Sequence, residues 1–405
     1  MSRSYSSIVL VGLLSAFSLL TFDLYQPSLS YITGYFETTH NLSQLTLSIY
    51  LFFFGVTQLI WGPLIDHFGR RRLLPGSLYL AAFASLICAF APNIYILIFG
   101  RALQGVALCC ANLVSFASSR DFEDSQERAK VLSYISMIVS ASPIVAPVIG
   151  SVIFTYLGWQ ANFIVMAVLA IVLMFQSKKG LCESPFWSKP KQPFLLKNVM
   201  QSYKEILYIP SLWFGSFIMM FSFAAVMLSV MNSSYLIIDQ LGFSPLGFGI
   251  IFIFNGLNII IGNYLGIGLR KYFNMGTTIY LGCGFIVTGG VAMLVYTLYY
   301  EFNLIALSFA LISNLGISVC APPTMSLTLT EFKENTGIAL AFINTVRMFG
   351  TSLLSMFMAH LLMQNLNALP VGLILTGLAT GYCTWHFNNV TKETTEATEM
   401  NAQTV

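Results

Sequence analysis

Long apolar runs recur along the whole chain and dominate its pattern. A bilayer core about 30 Å thick is spanned by about 20 apolar residues in helical form. Twelve runs come close to this length or exceed it, and each predicts one transmembrane helix. Their approximate bounds are 6–30, 44–64, 73–91, 93–117, 130–156, 161–176, 210–237, 247–269, 275–298, 303–329, 337–362 and 369–388. The pattern therefore predicts an all-α membrane protein with twelve transmembrane helices.

One long polar stretch divides these helices into two sets of six. It reads SKKGLCESPFWSKPKQPFLLKNVMQSYKE, residues 177–205, and holds six lysines and three prolines but no spanning run. We therefore expect four parts, with these boundaries: an N-terminal six-helix bundle over 1–176, a basic cytoplasmic linker over 177–209, a C-terminal six-helix bundle over 210–388 and a cytoplasmic tail over 389–405.

Basic residues indicate the orientation of the predicted helices. Lysine and arginine are enriched in cytoplasmic loops, and 17 of the 19 fall on one side of the predicted membrane. They are Arg3, Arg70, Arg71, Arg72, Arg120, Arg128, Lys130, the six linker lysines, Arg270, Lys271, Lys333 and Lys392. The remaining two, Arg101 and Arg347, lie inside helices. Both termini are therefore predicted to be cytoplasmic.

Two stretches of the first half align with stretches of the second. GPLIDHFGRR at 62–71 aligns with GNYLGIGLRK at 262–271, and RDFEDSQERA at 120–129 aligns with TEFKENTGIA at 330–339. Each pair occupies the same loop of its half. A duplicated six-helix unit is typical of transporters built from two related halves. We therefore expect two pseudo-symmetric bundles.

Composition narrows the possible functions. Hydrophobic residues make up 56% of the chain and charged residues 9%, against about 25% charged in soluble domains. The net charge of +3 is too small to indicate nucleic-acid binding. The seven cysteines show neither CxxC nor zinc spacing,. Because no nucleotide-binding loop or nucleophile–base–acid pattern occurs, we predict no cofactor, no metal, no enzymatic activity and an ion gradient as energy source.

Two ionisable residues lie inside predicted helices of the first half. LLTFDLYQPSL, residues 19–29, places Asp23 in an apolar run, and IFGRALQGVALCC, residues 98–110, places Arg101 in helix four with Gln104 on the same face,. Both are about 12 Å deep from the same side. An ionisable group in a membrane points to a functional site. We expect a direct or water-mediated Asp23–Arg101 contact in a proton-coupling site, with a purely structural pair as the alternative.

Arg347, in INTVRMFG, is a third ionisable residue inside a predicted helix, about ten residues into helix eleven. Three interpretations are open: it pairs with an acid across the halves, meets an anionic substrate group, or binds backbone carbonyls. Further candidates for proton coupling or substrate binding are Tyr25, Gln26, Asn112, Asn232, Tyr235, Asn255, Asn258 and Asn314. Single polar residues on transmembrane helices more often hold helices together than bind ligand.

The loop between helices two and three contains a possible conformational switch, GPLIDHFGRRR at 62–72. Gly62 loosens the helix end, and Gly69 can take the left-handed conformation that closes it. We expect the three arginines, Arg70, Arg71 and Arg72, to bind the anionic cytoplasmic face of the membrane. These arginines leave Asp66 unexplained, and we predict that its carboxylate acts as a latch at the start of helix eleven, near 335–337.

Helix five carries a second possible switch in SASPIVAPVIGS, residues 140–151. Pro143 and Pro147 each remove a helix hydrogen bond and bend the helix. Gly150 and the other small residues permit close helix contact.

Together these motifs resemble those of the drug/proton antiporters of the major facilitator superfamily, of the Bcr/CflA and MdfA types. FDLYQPSL in helix one and ASSRDFED after helix four extend the resemblance over the N-terminal half; the C-terminal half relies mainly on LTEFKENTGIALAFINTVRMFG. The resemblance implies that helices 1, 4, 7 and 10 line a cavity that opens alternately to each side. By position, Asp23 matches the family's acid of helix one, Arg101 its helix-four arginine and Asp66 the acid of its loop motif.

The chain departs from this family at two places. The Gly-Pro pairs of helix five read Ser142-Pro143 and Ala146-Pro147, which weakens the antiport inference from that motif. Some members carry a second acid about two turns before the position of Asp23, where this chain has Ser15-Ala16.

The sequence thus predicts a secondary active transporter that exports a small organic molecule or drug in exchange for protons by alternating access. Its partners are a small-molecule substrate, protons and membrane lipids, without nucleic acid, and the protein is expected to be a monomer in the bacterial inner membrane. Three alternatives stay open: a proton-coupled uptake symporter, an exporter of an anionic or zwitterionic metabolite such as a siderophore, and a membrane receptor or lipid-handling protein. One intramembrane acid suits a lipophilic cation, whereas two arginines suit an anion or a zwitterion.

Overall fold

The computed structural model describes residues 5–118, 121, 125–181, 183–184, 187, 193–332 and 336–403. Regular structure in these residues is helical throughout, so the predicted all-α class is confirmed. Of the basic residues used to predict orientation, Arg3, Arg120, Lys189, Lys191 and Lys333 lie outside the described residues, as do the side chains of Arg128, Lys130 and Lys392.

The chain divides into two compact units. The first unit contains Met1–Phe194 and Met231–Leu257, and the second contains Leu195–Val230 and Asn258–Val405. The contact-based division therefore assigns residues 231–257 to the first unit, whereas the sequence places them in the C-terminal bundle. The predicted domain boundaries stay a prediction.

The first unit is built mainly from eight α-helices, with a 3₁₀ turn and a π-helical turn. The helices are α1 (Tyr5–Asp23), α2 (Leu29–Tyr35), α3 (His40–Val56), α4 (Gln58–Phe68), α5 (Arg70–Ala89), α6 (Ile94–Ser118), α7 (Ser125–Leu157) and α8 (Trp159–Gly180). The 3₁₀ turn is Gln26–Ser28 and the π-helical turn is Tyr235–Gln240.

The second unit contains most of the remaining helices. They are α9 (Leu196–Leu207), α10 (Pro210–Met231), α12 (Met275–Tyr299), α13 (Leu304–Leu329), α14 (Thr336–Leu362) and α15 (Ala368–Gln403). Helix α11, Pro245–Leu269, contributes residues to both units. The predicted linker thus contains one short helix, α9, of 12 residues.

Ten helical stretches in the described residues are long and apolar enough to cross a membrane. Helices α3 and α4, bent by 44°, form an eleventh span if they are counted as one, and Ala141–Leu157 is a shorter apolar stretch of α7. These stretches correspond to the twelve predicted runs. Their positions follow from local sequence, because a helix satisfies its own backbone hydrogen bonds in lipid.

The first span is longer than predicted and is broken. It extends over Val9–Tyr35 rather than ending near residue 30, and α1 stops at Asp23. The 3₁₀ turn follows with Pro27 near its start, where the missing N–H of proline is tolerated. Asp23 therefore lies near the middle of a spanning segment, at the point where the regular helix ends.

Two glycines allow helices to approach this break closely. A side chain at Gly150 of α7 would collide with the backbone of Leu24, and one at Gly105 of α6 would collide with the backbone of Tyr50 in α3. Small residues at such crossings permit backbone contact that larger side chains prevent. The packing of α6 and α7 thus positions polar groups beside the broken helix.

Candidate functional site

Asp23 is a buried carboxylate with a neutral partner. Its side chain is 6% exposed, and Gln26 Nε2 donates a hydrogen bond to Asp23 Oδ1 at 2.9 Å. Gln26 in turn accepts a hydrogen bond from Ser233 Oγ at 3.5 Å. Among the described residues, no cation lies within ion-pair distance of Asp23. The carboxyl group is therefore held by an amide rather than by a counter-charge.

Arg101 is fully buried, and its guanidinium is bound by uncharged groups of the first unit. Its Nε donates to the carbonyl oxygen of Thr46 at 3.3 Å, and its Nη1 donates to that of Thr21 at 3.2 Å. Nη1 also donates to Gln104 Oε1 at 2.8 Å. The rings of Tyr25 and Tyr50 lie 5.2 and 4.6 Å from the guanidinium carbon, as measured to the ring centroids.

The structure therefore places Asp23 and Arg101 near the same part of α1 without an ion pair between them in the described residues. Arg101 donates two of its three hydrogen bonds to backbone carbonyl oxygens, and one of these carbonyls belongs to Thr21, two residues before Asp23. These contacts hold the Arg101 guanidinium mainly on backbone carbonyl oxygens. Nη2 of Arg101 is buried without a hydrogen-bond partner.

Gln104 links Arg101 to neighbouring helices. Its Nε2 donates to Ser85 Oγ of α5 at 2.7 Å and approaches Met166 Sδ of α8 at 3.8 Å. Gln104 and Arg101 share one face of α6, as their spacing predicts. The pair therefore connects α6 to four other helices, α1, α3, α5 and α8, through one buried polar cluster.

Hydroxyl groups extend this cluster along α1 and α3. Tyr25 and Thr46 share a hydrogen bond of 3.0 Å between their side-chain oxygens, and the Tyr50 hydroxyl donates to the carbonyl oxygen of Ser18 at 2.6 Å. Asn112 Nδ2 donates to Ser18 Oγ at 3.1 Å. Tyr25 and Asn112, both predicted as candidates, thus hold helices together in this structure.

Residues around 232–240 contact the second half of the broken span. Ser30 Oγ and Ser234 Oγ are hydrogen-bonded at 2.9 Å. The rings of His40 and Tyr235 lie 4.5 Å apart, and Asn232 hydrogen-bonds to His40. Two predicted candidates, Asn232 and Tyr235, therefore lie beside the start of α3, and Gln26 connects the same region to Asp23 through Ser233.

The helix-five motif lies in α7, beside the break. Pro143 and Pro147 both lie inside α7, and Ser151 Oγ donates to the carbonyl oxygen of Pro147 at 2.7 Å. Asn162 Nδ2 donates to Ser28 Oγ at 3.2 Å and to the Gly150 carbonyl at 3.4 Å. The motif is thus connected to the 3₁₀ turn by side-chain hydrogen bonds.

The loop between α4 and α5 forms a separate charged cluster. Gly69 ends α4 with a φ of 82°, a conformation that favours glycine,. The Arg70 guanidinium forms a buried ion pair with Asp121 and donates to Ser118 Oγ at 2.9 Å. Asp66, the predicted latch, is exposed, as is Arg71. Gly62, the first residue of the motif, lies inside α4.

The linker binds this loop through two residues that sequence reasoning missed. Glu183 accepts hydrogen bonds from the backbone N–H groups of Arg70 and Arg71 at 3.0 and 3.1 Å. Trp187 Nε1 donates to the carbonyl oxygen of Asp66 at 2.7 Å. The sequence offered one signal for Glu183: together with Glu205, it is one of only two acids in a linker rich in lysine.

The remaining polar candidates lie in α11, α13 and α14. Asn258 Nδ2 donates to the carbonyl oxygen of Leu311 at 2.8 Å, which joins α11 to α13. Asn255 and Asn314 are buried. The Arg347 guanidinium carbon lies 5.1 Å from the ring centroid of Phe223 in α10.

Three similar proteins place these features among known transporters. An uncharacterised transporter from Bacillus subtilis, YdgK, is 30% identical over 258 residues, covering 63% of this chain and 64% of YdgK, less than two thirds of its length. The multidrug resistance protein MdtL of Shewanella sp. ANA-3 is 25% identical over 354 residues, 86% of this chain and 87% of MdtL. MdtL of Salmonella paratyphi A is 26% identical over 356 residues, 87% of each chain.

Two solved structures share the fold. A D-xylose-proton symporter has a TM-score of 0.73 at 15% identity, covering 94% of this chain and 97% of the symporter. A bacterial homologue of the human lysosomal transporter Spinster, inward-facing and occupied, has a TM-score of 0.68 at 12% identity, covering 95% and 96%. The family model described as Major Facilitator Superfamily matches residues 11–355, most of the chain. The chain is therefore a multi-pass secondary transporter of small molecules, not an enzyme, and it belongs to the major facilitator superfamily.

Proposed function

We propose that this protein exports a small organic molecule or drug in exchange for protons, and that Asp23 carries the coupled proton. The observation that supports this most is the position of Asp23. Its carboxyl group is buried at a break in a spanning helix, and its hydrogen bond comes from Gln26, a neutral side chain. The two relatives named multidrug resistance protein support an export function.

A buried carboxyl group of this kind can bind and release a proton as its surroundings change. A charged carboxylate away from water and without a counter-charge is costly, so the dry site favours the neutral acid. Entry of water lowers that cost and favours release. Gln26 connects Asp23 to Ser233, so a rearrangement near residue 233 would change the hydrogen bond on the carboxyl group.

Arg101 has a positioning role in this proposal. Its guanidinium is bound by carbonyl oxygens, by Gln104 and by two aromatic rings. These contacts hold α1, α3 and α6 together beside Asp23. Proton exchange at Asp23 therefore proceeds without breaking an ion pair to Arg101.

The direct test is transport by purified protein in liposomes with an acidic interior. Antiport predicts that a probe accumulates inside as protons leave, whereas a symporter moves it outward with protons. We suggest ethidium as a cationic probe and 2-naphthoate as an anionic one. We expect at least one probe to accumulate, with matching proton release. Outward movement of a probe together with protons would favour the symporter. If neither probe is transported, the proposal is contradicted.

The variant Asp23→Asn tests the role of the carboxyl group. Asparagine is nearly isosteric and permanently neutral, so gradient-driven accumulation should disappear while probe binding is retained. Glu301→Gln, an exposed acid between α12 and α13, is the matched control and should transport as the wild type does. If Asp23→Asn still accumulates the probe with the wild-type proton stoichiometry, Asp23 is not the proton carrier.

We further propose that Asp66, Gly69 and Arg70 belong to the conformational switch. The network around them, in which Arg70 pairs with Asp121 and Glu183 binds the start of α5, supports this. Interaction of a carboxylate with a helix N-terminus contributes about 0.3–1 kcal/mol, enough to bias two states of similar free energy.

We therefore expect Asp66→Asn to slow turnover and to shift the protein toward the inward-open state without abolishing binding. The measurement is the labelling rate of introduced single cysteines facing the cytoplasm. Equal labelling rates in the wild type and the variant would argue against the latch.

A further inference from the structure

Arg347 lies in the interior of α14, a spanning helix of 27 residues that runs from Thr336 to Leu362. An ionisable residue at such a position is costly unless it is paired or reaches water or a polar cavity. The environment of its guanidinium therefore decides what the residue does.

The contacts of α14 show which neighbour this part of the helix packs against. Thr351, one turn after Arg347, donates from Oγ1 to the carbonyl oxygen of Met220 in α10 at 3.3 Å. A side chain at Gly350 would collide with the Met220 side chain. Arg347 itself lies over the ring of Phe223, one turn further along α10, at 5.1 Å. The guanidinium is thus located against α10.

One donor of this guanidinium is unused among the described residues. Nε of Arg347 is buried and has no hydrogen-bond partner. The residue as a whole is only partly buried, so some of its surface is accessible. Cation–π contact with a phenylalanine ring stabilises a cation but supplies no hydrogen-bond acceptor.

The sequence supplies no carboxylate for it in the spanning helices of this half. Between residues 210 and 390 the acids are Asp239, Glu301, Glu331 and Glu334. Asp239, Glu301 and Glu331 lie outside the spanning helices, and Glu334 lies outside the described residues. The positive charge of Arg347 is therefore not balanced by its own set of helices.

We propose that Arg347 is a specificity-determining residue that binds the carboxylate of a small organic acid substrate, with Phe223 fixing the plane of the guanidinium. This inference rests on the proposed transport function and names its substrate class. A guanidinium presents parallel N–H donors that match the two oxygens of a carboxylate, which a point charge does not. Arg101 donates three hydrogen bonds to the protein itself, whereas Nε of Arg347 has no partner in the protein and stays available to a ligand.

The test is equilibrium binding to the purified, full-length protein, measured by thermal stabilisation without any ion gradient. The probes are three acids, each with its own amide: benzoate and benzamide, salicylate and salicylamide, 2-naphthoate and 2-naphthamide. Tetraphenylphosphonium serves as a cationic probe. Since each pair differs mainly in charge and bidentate acceptance, the acid-to-amide ratio of Kd reports recognition of the carboxylate.

We expect at least one acid to bind the wild type at least about tenfold more tightly than its amide, a difference typical of one charge-assisted bond. Arg347→Gln should abolish this preference. Lys271→Gln, which removes an exposed positive charge just after α11, is the matched control and should retain it.

Arg347→Lys and Phe223→Leu sharpen the result. Arg347→Lys keeps the charge but lacks the planar pair of N–H donors, so the preference for the acid over its amide should fall severalfold. Phe223→Leu keeps the charge but removes the ring that orients the guanidinium, so the preference should fall by less. If Arg347→Gln fails to fold, Arg347→Lys takes its place in the test. An acid-to-amide preference in Arg347→Lys equal to that of the wild type would then overturn the proposal.

The proposal is wrong if no acid binds the wild type in preference to its amide, or if Arg347→Gln keeps the preference. Binding of tetraphenylphosphonium alone also overturns it, while the proposed antiport could still hold. Conversely, loss of carboxylate preference in Arg347→Gln, together with undiminished gradient-driven transport in Asp23→Asn, would support this inference and remove the proposed role of Asp23. The two proposals therefore fail separately.

Discussion

Arg101 in the first unit and Arg347 in the second are both arginines inside membrane-spanning helices. Arg101 is fully covered, donates three hydrogen bonds and lies between two tyrosine rings. Arg347 is partly accessible, contacts one phenylalanine ring and has a buried Nε without a partner. Both arginines keep one buried nitrogen without a partner, but only Arg101 also donates three hydrogen bonds that join helices of its unit.

The difference teaches how to distinguish structural from functional charges in a membrane protein. The cost of burying a charge is offset either by groups of the protein or by a ligand. Where the protein supplies all partners, substitution should damage stability first. Where it supplies few, substitution should damage binding first.

The largest effect expected from this comparison is on the stability of Arg101→Ala. The variant removes the three hydrogen bonds that the charged guanidinium donates to the Thr46 carbonyl, the Thr21 carbonyl and Gln104 Oε1, and a hydrogen bond from a charged group contributes about 1.5–3 kcal/mol. The free energy of unfolding should therefore fall by roughly 3 kcal/mol or more. Unfolding in mixed detergent micelles measures this.

Arg101→Lys is the control for this prediction, because it keeps the charge but cannot make all three bonds. It should be less damaging than alanine. If Arg101→Ala unfolds with the wild-type free energy, the observed hydrogen bonds contribute little, and the contrast with Arg347 disappears.

A smaller effect is expected at Glu183, which extends the comparison to a charge at the membrane edge. Its carboxylate binds the first N–H groups of α5, so Glu183→Gln should destabilise the first unit by about 0.3–1 kcal/mol. Protection of the Arg70 and Arg71 amides against hydrogen exchange should decrease with it. Glu301→Gln, an exposed acid in a loop, should change neither quantity.

The smallest effect on stability is expected for Arg347→Met. Methionine keeps much of the aliphatic volume and removes a charge whose Nε has no hydrogen-bond partner and whose guanidinium contacts the Phe223 ring. The free energy of unfolding should stay within about 0.5 kcal/mol of the wild type or rise. A loss comparable to that of Arg101→Ala would show that Arg347 is a structural residue.

Much of the fold follows from sequence alone. The apolar runs located the spanning helices to within a few residues, because each helix satisfies its backbone locally and needs only an apolar surface. One departure was the first span, which continues to Tyr35 through a break after Asp23. Pro27 marked this region, but a single proline does not specify where a helix resumes.

The sequence also identified Asp23, Arg101 and Arg347, because charge inside an apolar run is rare and costly. Only the tertiary structure decided what each of them contacts. Arg101 binds Thr46 and Thr21, 55 and 80 residues away along the chain, and Glu183 binds the start of α5 from 113 residues away. Such pairings depend on which helix faces meet, which no local pattern encodes. The positions of the helices therefore follow from the local sequence, whereas the contacts of the site follow from long-range packing.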